Sequence, residues 1–285
     1  MKTILITGSN GQLGSEMQQP SIRYNTFNYL FTDVAELDIC DKAALEAYVL
    51  ENKVNIIVNC AAYTAVDKAE DNQELCYKIN RDAVRNIGEV AAKYHVKVVH
   101  VSTDYVFDGT NYIPYTEEMP VCPASVYGKS KLEGENALMD VCEQAVIIRT
   151  SWLYSSFGGN FVKTMIKLGT ERDTLNVIFD QVGTPTYAAD LADAIFQVIS
   201  SGKFVPGIYH FSNEGVCSWY DFTKSIHRMA EITCNVRPIE SKEYPTRTPR
   251  PHYSVLNKAK IKSTYGISIP YWEESLKKCI EILKS

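Results

Sequence analysis

The sequence predicts an α/β protein, with a doubly wound parallel sheet followed by a smaller C-terminal lobe. Short apolar runs alternate with helical stretches over residues 1–150, and this alternation is typical of βαβ units. A run as uniformly apolar as 55–60 indicates a strand that is covered on both faces. Beyond residue 150 the alternation loosens, so residues 151–285 are expected to form mainly the lobe. No Gly/Ser-rich linker separates the two parts, so later strands are expected to return to the sheet.

Each element follows from a local pattern in the chain. Strands are predicted where apolar or β-branched residues run together, at 2–7, 27–32, 55–60, 97–101, 145–149 and 207–211. Helices are predicted where apolar residues recur at helical spacing, at 15–19, 42–51, 74–94, 125–139, 160–168, 188–200, 219–230 and 272–283. The first helix is expected to end at Pro20. Residues 240–257, rich in Pro, Arg and Tyr, are predicted to form a loop.

Composition excludes several classes of protein. The 285 residues carry a net charge of −5, which argues against a broad surface for nucleic acid or for anionic membranes. The eight cysteines form no C-x-x-C pair and lie at no zinc spacing with histidine, so reduced thiols and no metal site are expected. No apolar run approaches the roughly 20 residues that span a bilayer, and no secretory signal is apparent. We therefore expect a cytoplasmic protein.

A glycine-rich turn follows the first predicted strand. Gly8, Gly11 and Gly14 have the spacing G-x-x-G-x-x-G, which differs from the G-x-G-x-x-G of many dehydrogenases. Glycine at such a turn lets the backbone approach a pyrophosphate, and the following helix N-terminus stabilises the negative charge. The turn therefore predicts a bound dinucleotide. The alternative is a turn that only packs a strand against a helix.

An acidic residue, Asp33, ends the second predicted strand. A carboxylate at this position accepts hydrogen bonds from the adenosine ribose and repels a 2′-phosphate. No arginine follows at once, because the next residues are Val34, Ala35 and Glu36. This favours NADH, or use of both NADH and NADPH, over strict use of NADPH. The alternative is an aspartate that caps a helix or a turn.

Three residues form the predicted catalytic set. Thr103 ends an apolar strand, and Tyr127 and Lys131 are four apart on the next predicted helix, where they share a face. The lysine favours the ionised phenol, the threonine orients a substrate oxygen, and the tyrosine acts as a general acid. The alternative is a surface tyrosine beside a solvated lysine. Tyr220 and Lys224 repeat the spacing without this context.

These motifs resemble those of the extended short-chain dehydrogenase/reductase family. Within it, longer blocks are similar to those of the dTDP-4-dehydrorhamnose reductases, at 61–70, 102–109, 149–152, 160–165, 180–186 and 250–256. The resemblance covers nearly the whole chain. It implies a Rossmann-like sheet, an NAD(P)-binding domain at 1–150 and a substrate-binding lobe at 151–285. It also implies NADPH or NADH as the cofactor and a nucleotide sugar as the substrate. The expected reaction reduces the C4 ketone of dTDP-4-dehydro-L-rhamnose, the last step towards dTDP-L-rhamnose.

The resemblance also assigns residues to the cofactor and to the substrate. The cofactor positions are Gly8, Gly11, Gln12, Leu13, Gly14, Asp33, Asp38, Ile39, Ala62, Tyr63, Thr64, Tyr127 and Lys131. Thr103 and Asp104 match substrate contacts, and Trp152 matches a residue against the sugar nucleotide; the alternative for Trp152 is a core aromatic. Arg247 and Arg250 are candidates to neutralise the substrate pyrophosphate, unless they are solvated loop residues.

One departure from the family concerns magnesium. Some members dimerise through magnesium bound by glutamates, and Glu16 matches one such position. Ala189 stands where another glutamate is expected, and the chain stops soon after its last predicted helix. We therefore predict no metal bridge and leave a homodimer open.

Other functions compete with this reaction. A 4,6-dehydratase usually has an Asp-Glu pair after the threonine, but here Thr103 is followed by Asp104 and Tyr105. An epimerase or a reductase of another nucleotide sugar remains an alternative. So does a non-catalytic homologue, because the regulatory subunit of methionine adenosyltransferase resembles the same family. The intact Thr103, Tyr127 and Lys131 favour an enzyme.

Overall fold

The computed structural model describes residues 1–19 and 24–284. Its strands are β1 (Lys2–Thr7), β2 (Phe27–Thr32), β3 (Val54–Asn59), β4 (Lys97–Thr103), β5 (Ala145–Thr150), β6 (Leu153–Tyr154), β7 (Thr174–Ile178), β8 (Val182–Gly183), β9 (Thr186–Tyr187), β10 (Gly207–His210), β11 (Cys217–Ser218), β12 (Asn235–Ile239) and β13 (Tyr253–Ser254). Its α-helices are α1 (Gln12–Met17), α2 (Lys42–Glu51), α3 (Val66–Ala69), α4 (Gln73–Tyr77), α5 (Ala83–Tyr94), α6 (Val126–Val141), α7 (Phe161–Glu171), α8 (Ala188–Ser200), α9 (Trp219–Ala230), α10 (Ala259–Tyr265) and α11 (Trp272–Lys284).

The central sheet confirms the predicted fold class. Within the described residues it has six strands, in the order β10-β5-β4-β3-β1-β2, and every neighbouring pair is parallel. The chain leaves β1 for β2 on one side and then crosses to β3 on the other. This reversal next to β1 is the topological switch point where open α/β sheets bind their ligands.

Helices cover both faces of the sheet because successive side chains of each strand point to opposite sides. On one face, Ile4 and Ile6 of β1 belong to a buried cluster with residues of α1 and α8. On the other face, Leu5 belongs to a cluster with residues of α2 and α5. All three side chains are 0% exposed, so the sheet is doubly wound.

A separate core holds the later part of the chain. Tyr154, Val162, Phe222 and Leu276 pack together in a third buried cluster. The two-stranded pair of β7 and β12 lies beside α7 and α9 in this region. Two elements that follow residue 150 instead join the main sheet: β10 pairs with β5, and α8 packs on its face. The chain therefore passes through the main sheet again after residue 150.

The helix predicted at 74–94 is wrong as a single element. It is interrupted at Lys78–Asp82 by a π-helical turn between α4 and α5. Asn80 in this turn is buried and binds the backbone of Tyr63 through both its amide atoms, and it also donates to the Ser130 hydroxyl. A π-turn of this kind is common next to functional sites. Tertiary hydrogen bonds of one buried amide therefore override the helical periodicity of the segment.

Other boundaries differ for local reasons. The first helix lies at Gln12–Met17 and not at 15–19, and its expected end at Pro20 falls outside the described residues. The predicted loop at 240–257 contains the short strand β13. The strand β12 was not predicted from the sequence; it contains Pro238 and, within the described part of the chain, pairs with β7 alone, an edge position that tolerates a proline. No α-helix among residues 1–19 and 24–284 is long and apolar enough to cross a membrane.

Candidate active site

A cleft of about 840 Å³ opens at the carboxyl ends of the central strands. Its walls include residues at or just after the ends of β1, β3, β4 and β5, among them Gly8, Ala61, Thr103 and Ser151. This is the crevice that the strand order marks as the ligand site of an open α/β sheet. The cleft also includes Gly158 and Gly159, which follow β6.

The glycine turn after β1 brings backbone against backbone. Gly8 has φ of 65°, and a side chain there would meet the Ala61 nitrogen at 2.6 Å. A side chain on Gly14 would lie 2.4 Å from the Gly8 carbonyl oxygen. Both positions require glycine, because Gly8 lies against the backbone that follows β3 and Gly14 lies against the backbone of Gly8 and Ser9, with no room for a Cβ atom in either place. Gly8, Gly11, Gln12, Leu13 and Gly14 all line the cleft, as their predicted cofactor role requires.

The other predicted cofactor residues lie along the same wall. Asp33 accepts hydrogen bonds from the Asn10 nitrogen at 3.0 Å and the Val34 nitrogen at 2.8 Å, which join the end of β2 to the glycine turn. Asp38, Ile39, Ala62 and Thr64 line the cleft as well. Tyr63 is not part of the lining, and its ring packs against the cluster that holds Tyr127.

The predicted catalytic residues meet in the cleft. Ser125 caps α6 by accepting a hydrogen bond from the Gly128 nitrogen at 3.0 Å, which sets the start of the helix. Tyr127 and Lys131, in the first two turns of this helix, line the cleft together with Thr103 at the end of β4. Burial raises the pKa of the Tyr127 phenol, although a hydrogen bond with Thr103 lowers it. The phenol therefore holds its proton in the free protein.

Lys131 is a buried amine, only 2% exposed. Its Nζ donates to the Val101 carbonyl oxygen at 2.7 Å. Burial lowers the pKa of Lys131 to about 8, against a partial opposing effect of Glu135. The amine is therefore close to its titration point near neutral pH.

Asp104 lies beside Thr103 and is 4% exposed. Its Oδ1 accepts a hydrogen bond from the Thr103 hydroxyl at 3.0 Å, and the Ser254 side chain also interacts with the carboxylate and lowers its pKa. Burial raises the pKa of Asp104 to about 6. Asp104 thus places a carboxyl group in the wall of the cleft, next to Thr103.

Trp152 lines the cleft in a strained backbone conformation, with φ of 48°. Its ring stacks on Trp219 with the centroids 3.5 Å apart and the planes at 10°. Behind it lies Gly183 of β8, where a Cβ atom would be 2.7 Å from Trp152 Cε2. The Trp152 ring is thus held between the Trp219 ring and β8, which has room for no side chain at Gly183.

Replacing Gly183 by alanine is expected to displace the Trp152 ring, because Trp219 prevents it from retreating. We expect the KM for the substrate to rise about tenfold, equivalent to about 1.4 kcal/mol, while the KM for the cofactor stays within about twofold. Steady-state kinetics with each substrate varied in turn measures both constants. An equal rise in the KM for the substrate and the KM for the cofactor would show that Trp152 does not contact the substrate selectively.

The two predicted arginines do not line the cleft. Arg250 donates to Asp67 Oδ2 at 2.6 Å, and its Nη1 is buried with no partner among the described residues. Arg247 forms an ion pair with Asp71. Both pairs attach the loop after β12 to the region of α3. Their predicted contact with a substrate pyrophosphate stays a prediction.

Glu16, the residue at the family's magnesium position, is also internal. It is 3% exposed and accepts a hydrogen bond from the Ser155 hydroxyl at 2.6 Å. Burial raises its pKa. The carboxylate therefore binds α1 to the segment after β6.

Three polar residues in and behind the cleft were not predicted from the sequence. Lys78 lines the wall that holds Asp38 and Ile39, and it and Lys131 are the cationic side chains of the cleft among the described residues. Asn59 and His100 lie directly behind Lys131. Polar residues inside apolar strands are a signal that could have found Asn59 and His100, whereas nothing in the sequence around Lys78 marks it.

The fold and the cleft define a dinucleotide-binding protein of the short-chain dehydrogenase/reductase class. The family model of the RmlD substrate binding domain matches residues 1–285. A dTDP-4-dehydrorhamnose reductase from Aggregatibacter actinomycetemcomitans is 40% identical over 287 residues, covering 97% of this chain and 98% of that relative. The chain therefore belongs to the RmlD family, that of the dTDP-4-dehydrorhamnose reductases, and the resemblance found in the sequence is confirmed.

Solved structures agree in both fold and extent. The dTDP-4-dehydrorhamnose reductase of Clostridium acetobutylicum superimposes with a TM-score of 0.95 at 44% identity, covering 99% of this chain and 100% of that one. The dTDP-4-dehydrorhamnose reductase of Bacillus anthracis, solved in complex with NADP, has a TM-score of 0.95 at 38% identity and the same coverage. The similarity thus extends over the main sheet and the lobe together.

Proposed function

We propose that this protein reduces the C4 ketone of dTDP-4-dehydro-L-rhamnose to give dTDP-L-rhamnose, with NADPH or NADH as the cofactor. The observation that carries the proposal is the full-length similarity to proteins named for this reaction. Thr103, Tyr127 and Lys131 support it, because they meet in one cleft at the switch point of the sheet.

The cleft fits a dinucleotide in chemical terms. Its glycine turn exposes backbone where Gly8 and Gly14 exclude any side chain. Asp33 at the far end of this wall presents a carboxylate to a ribose. Gln12 Oε1 is buried there without a hydrogen-bond partner among the described residues. When bound, the nicotinamide cofactor supplies the hydride.

In this proposal, Tyr127 donates its phenolic proton to the oxygen at C4 of the sugar. Its burial supports the role, because a raised pKa keeps the phenol protonated until it reacts. Thr103 orients the same oxygen through its hydroxyl, which already contacts Asp104. Lys131, in its ammonium form, stabilises the phenolate left after proton transfer.

We assign cofactor binding to residues 1–150 and most substrate binding to residues 151–285. Trp152 supports the second assignment, since a rigidly held indole in the cleft provides a flat apolar surface for a sugar ring. We assign the Asp104 carboxyl group to a substrate hydroxyl. Arg250 and Arg247 are assigned to the substrate pyrophosphate, with Asp67 and Asp71 as their partners in the free protein.

The test is direct. Purified protein is mixed with enzymatically prepared dTDP-4-dehydro-L-rhamnose, and oxidation of NADPH and NADH is followed in parallel. We expect oxidation to depend on the sugar and dTDP-L-rhamnose to accumulate in equal amount. Absence of oxidation from protein that still binds the cofactors would overturn the assigned substrate. Oxidation without formation of dTDP-L-rhamnose would overturn the assigned reaction.

Asp33 is expected to set the choice between the two cofactors. Replacing it by asparagine keeps one acceptor for the Asn10 nitrogen but removes the charge that repels a 2′-phosphate. We expect the ratio of kcat/KM for NADPH to that for NADH to rise about fivefold or more, equivalent to about 1 kcal/mol. Initial rates with each cofactor varied measure this ratio. An unchanged ratio would remove Asp33 from cofactor selection.

A further inference from the structure

A row of polar side chains crosses the buried sheet behind Lys131. Thr7 of β1 is in register with Asn59 of β3, and Asn59 is in register with His100 of β4. All three residues are at most 1% exposed. His100 Nε2 lies 3.4 Å from Lys131 Nζ, so the row ends at the amine of the proposed catalytic set. None of these three residues takes part in the proposed reduction directly.

Backbone contacts determine which way the Asn59 amide faces. Asn59 Oδ1 lies 3.2 Å from the Ala61 backbone nitrogen, which can only donate. The same oxygen accepts from the Thr7 hydroxyl at 2.7 Å. The opposite end of the amide is therefore the NH₂ group, and it lies 3.0 Å from His100 Nδ1. An NH₂ group can only donate, so His100 Nδ1 must accept.

This assignment fixes the proton on the imidazole. Burial lowers the pKa of His100 far below its ordinary value, and the charge of Lys131 lowers it further, so the ring is neutral. A neutral imidazole whose Nδ1 accepts a hydrogen bond carries its proton on Nε2. That N–H is then directed at Lys131 Nζ.

We propose that Asn59 and His100 are positioning residues that oppose protonation of Lys131, by holding an imidazole N–H against its amine. A neutral Lys131 accepts a hydrogen bond from His100 Nε2 while it donates to the Val101 carbonyl oxygen. An ammonium group has no lone pair to accept this hydrogen bond, so its own N–H groups face the N–H group of His100. The row therefore stabilises the neutral amine relative to the ammonium form.

The other groups that face Lys131 do not cancel this effect. Glu135, one turn further along α6, favours the charged amine, but two nitrogens of Arg149 bind its carboxylate at 2.6 to 3.1 Å. The thiols of Cys60, directly after β3, and of Cys76 on α4 are neutral, because burial raises the pKa of both. Tyr127, four residues before Lys131, is also neutral. From β4, two neutral groups contact Nζ: the Val101 carbonyl oxygen, to which either form of the amine donates, and the His100 N–H, which only the neutral amine accepts.

The consequence for catalysis rests on the proposed reduction. That reaction uses the ammonium form of Lys131, so its rate falls when the amine loses its proton at high pH. By opposing protonation, the row brings this loss closer to neutral pH and makes proton exchange at Lys131 easier during turnover. The position of the proton on His100 can be measured in the resting protein, without any turnover.

The first test reads the tautomer in the wild-type protein without ligands. Long-range ¹H–¹⁵N correlation spectra distinguish an imidazole protonated on Nε2 from one protonated on Nδ1. The chain has five histidines, and the signal of His100 is assigned by its absence from the His100→Leu variant. We expect the Nε2–H tautomer between pH 6 and pH 9, a window chosen for the measurement. The Nδ1–H tautomer or an imidazolium ring would overturn the proposal.

The second test uses Asn59→Asp to reverse the direction of the hydrogen bond between residue 59 and His100. The carboxylate accepts from His100 on the side where the amide donated, so the proton moves to Nδ1 and the lone pair of Nε2 faces Lys131. The ammonium form then gains a hydrogen-bond acceptor. We expect the NMR spectrum to change to the Nδ1–H pattern and the basic limb of kcat/KM against pH to move up by about one pH unit.

A double-variant comparison separates the tautomer from the added charge. In the His100→Leu background, Asn59→Asp contributes its charge but has no imidazole to reorient. We expect less than about half of the pH displacement seen when His100 is present. An equal displacement in both backgrounds would overturn the proposal. Thermal midpoints are recorded as well, because a merely structural role lowers them without moving the pH limb.

The two proposals fail in separate ways. If no sugar nucleotide is turned over, the proposed function fails, while the tautomer spectra still decide the role of Asn59 and His100. In that case the titration of Lys131 is followed through the pH dependence of NADPH binding by the same variants, instead of through the basic limb of kcat/KM. If turnover is found but the wild-type ring is protonated on Nδ1, only the present inference is lost.

Discussion

Replacing Tyr127 by phenylalanine is expected to lower kcat by about 10²–10⁴-fold, the usual cost of losing a general acid. The phenol is buried in the cleft, and its proton is retained because burial raises its pKa. Phenylalanine preserves the ring and its edge-to-face contact with Tyr105, so only the proton donor is removed. Cofactor binding, followed by fluorescence titration, should remain within about threefold of the wild type.

The chain contains a matched control for this variant. Tyr220 and Lys224 in α9 repeat the Tyr-x-x-x-Lys spacing, but they do not line the cleft. Tyr220→Phe should therefore retain nearly full kcat under the same conditions. If Tyr127→Phe also stays within about threefold of the wild type, Tyr127 is not the proton donor of the reaction.

The second large effect concerns stability. Arg149 of β5 and Glu135 of α6 form an ion pair in which the side chains are 2% and 1% exposed. Removing one partner leaves the other charged and unpaired in the interior, which typically costs about 3–5 kcal/mol. Arg149→Met should therefore lower the free energy of unfolding by about this amount, as measured by urea denaturation.

A compensating variant distinguishes the pair from simple packing. The double variant Arg149→Met with Glu135→Leu removes both charges and keeps the volume apolar, so it should recover most of the loss. Arg149 also lies over the Phe107 ring, 5.2 Å from its centroid, a contact that methionine partly replaces. A double variant as unstable as the single one would show that packing of Arg149, and not its charge pair, supports the fold.

The elements that sequence reasoning located well are those in which one local pattern dominates. β2 and the helices α2, α8 and α9 have the predicted bounds, because apolar periodicity and flanking turn residues agree there. β7 and β12 were missed, since they form a small two-stranded sheet with a proline in one strand. Their pairing depends on residues about 60 positions apart.

In the candidate site, too, residues in local motifs could be predicted and residues placed by distant contacts could not. The positions of Gly8, Thr103, Tyr127 and Lys131 in the cleft could be predicted from motifs, because each lies next to a strand end or in the first turns of a helix, as its motif predicts. Lys78 could not be identified in this way. It reaches the cleft from a π-helical turn whose existence depends on the buried hydrogen bonds of Asn80.

By itself, the sequence determined the six strands of the main sheet, most of the longer helices, the doubly wound class of the sheet and the residues that end its central strands. These properties follow from local periodicity and from turn chemistry, which neighbouring residues carry. Tertiary structure alone decided that Asn59 and His100 stand behind Lys131, that Glu135 pairs with Arg149, and that Trp152 stacks on Trp219. Each of these contacts joins different elements, and strand register and packing in three dimensions set the distances between them.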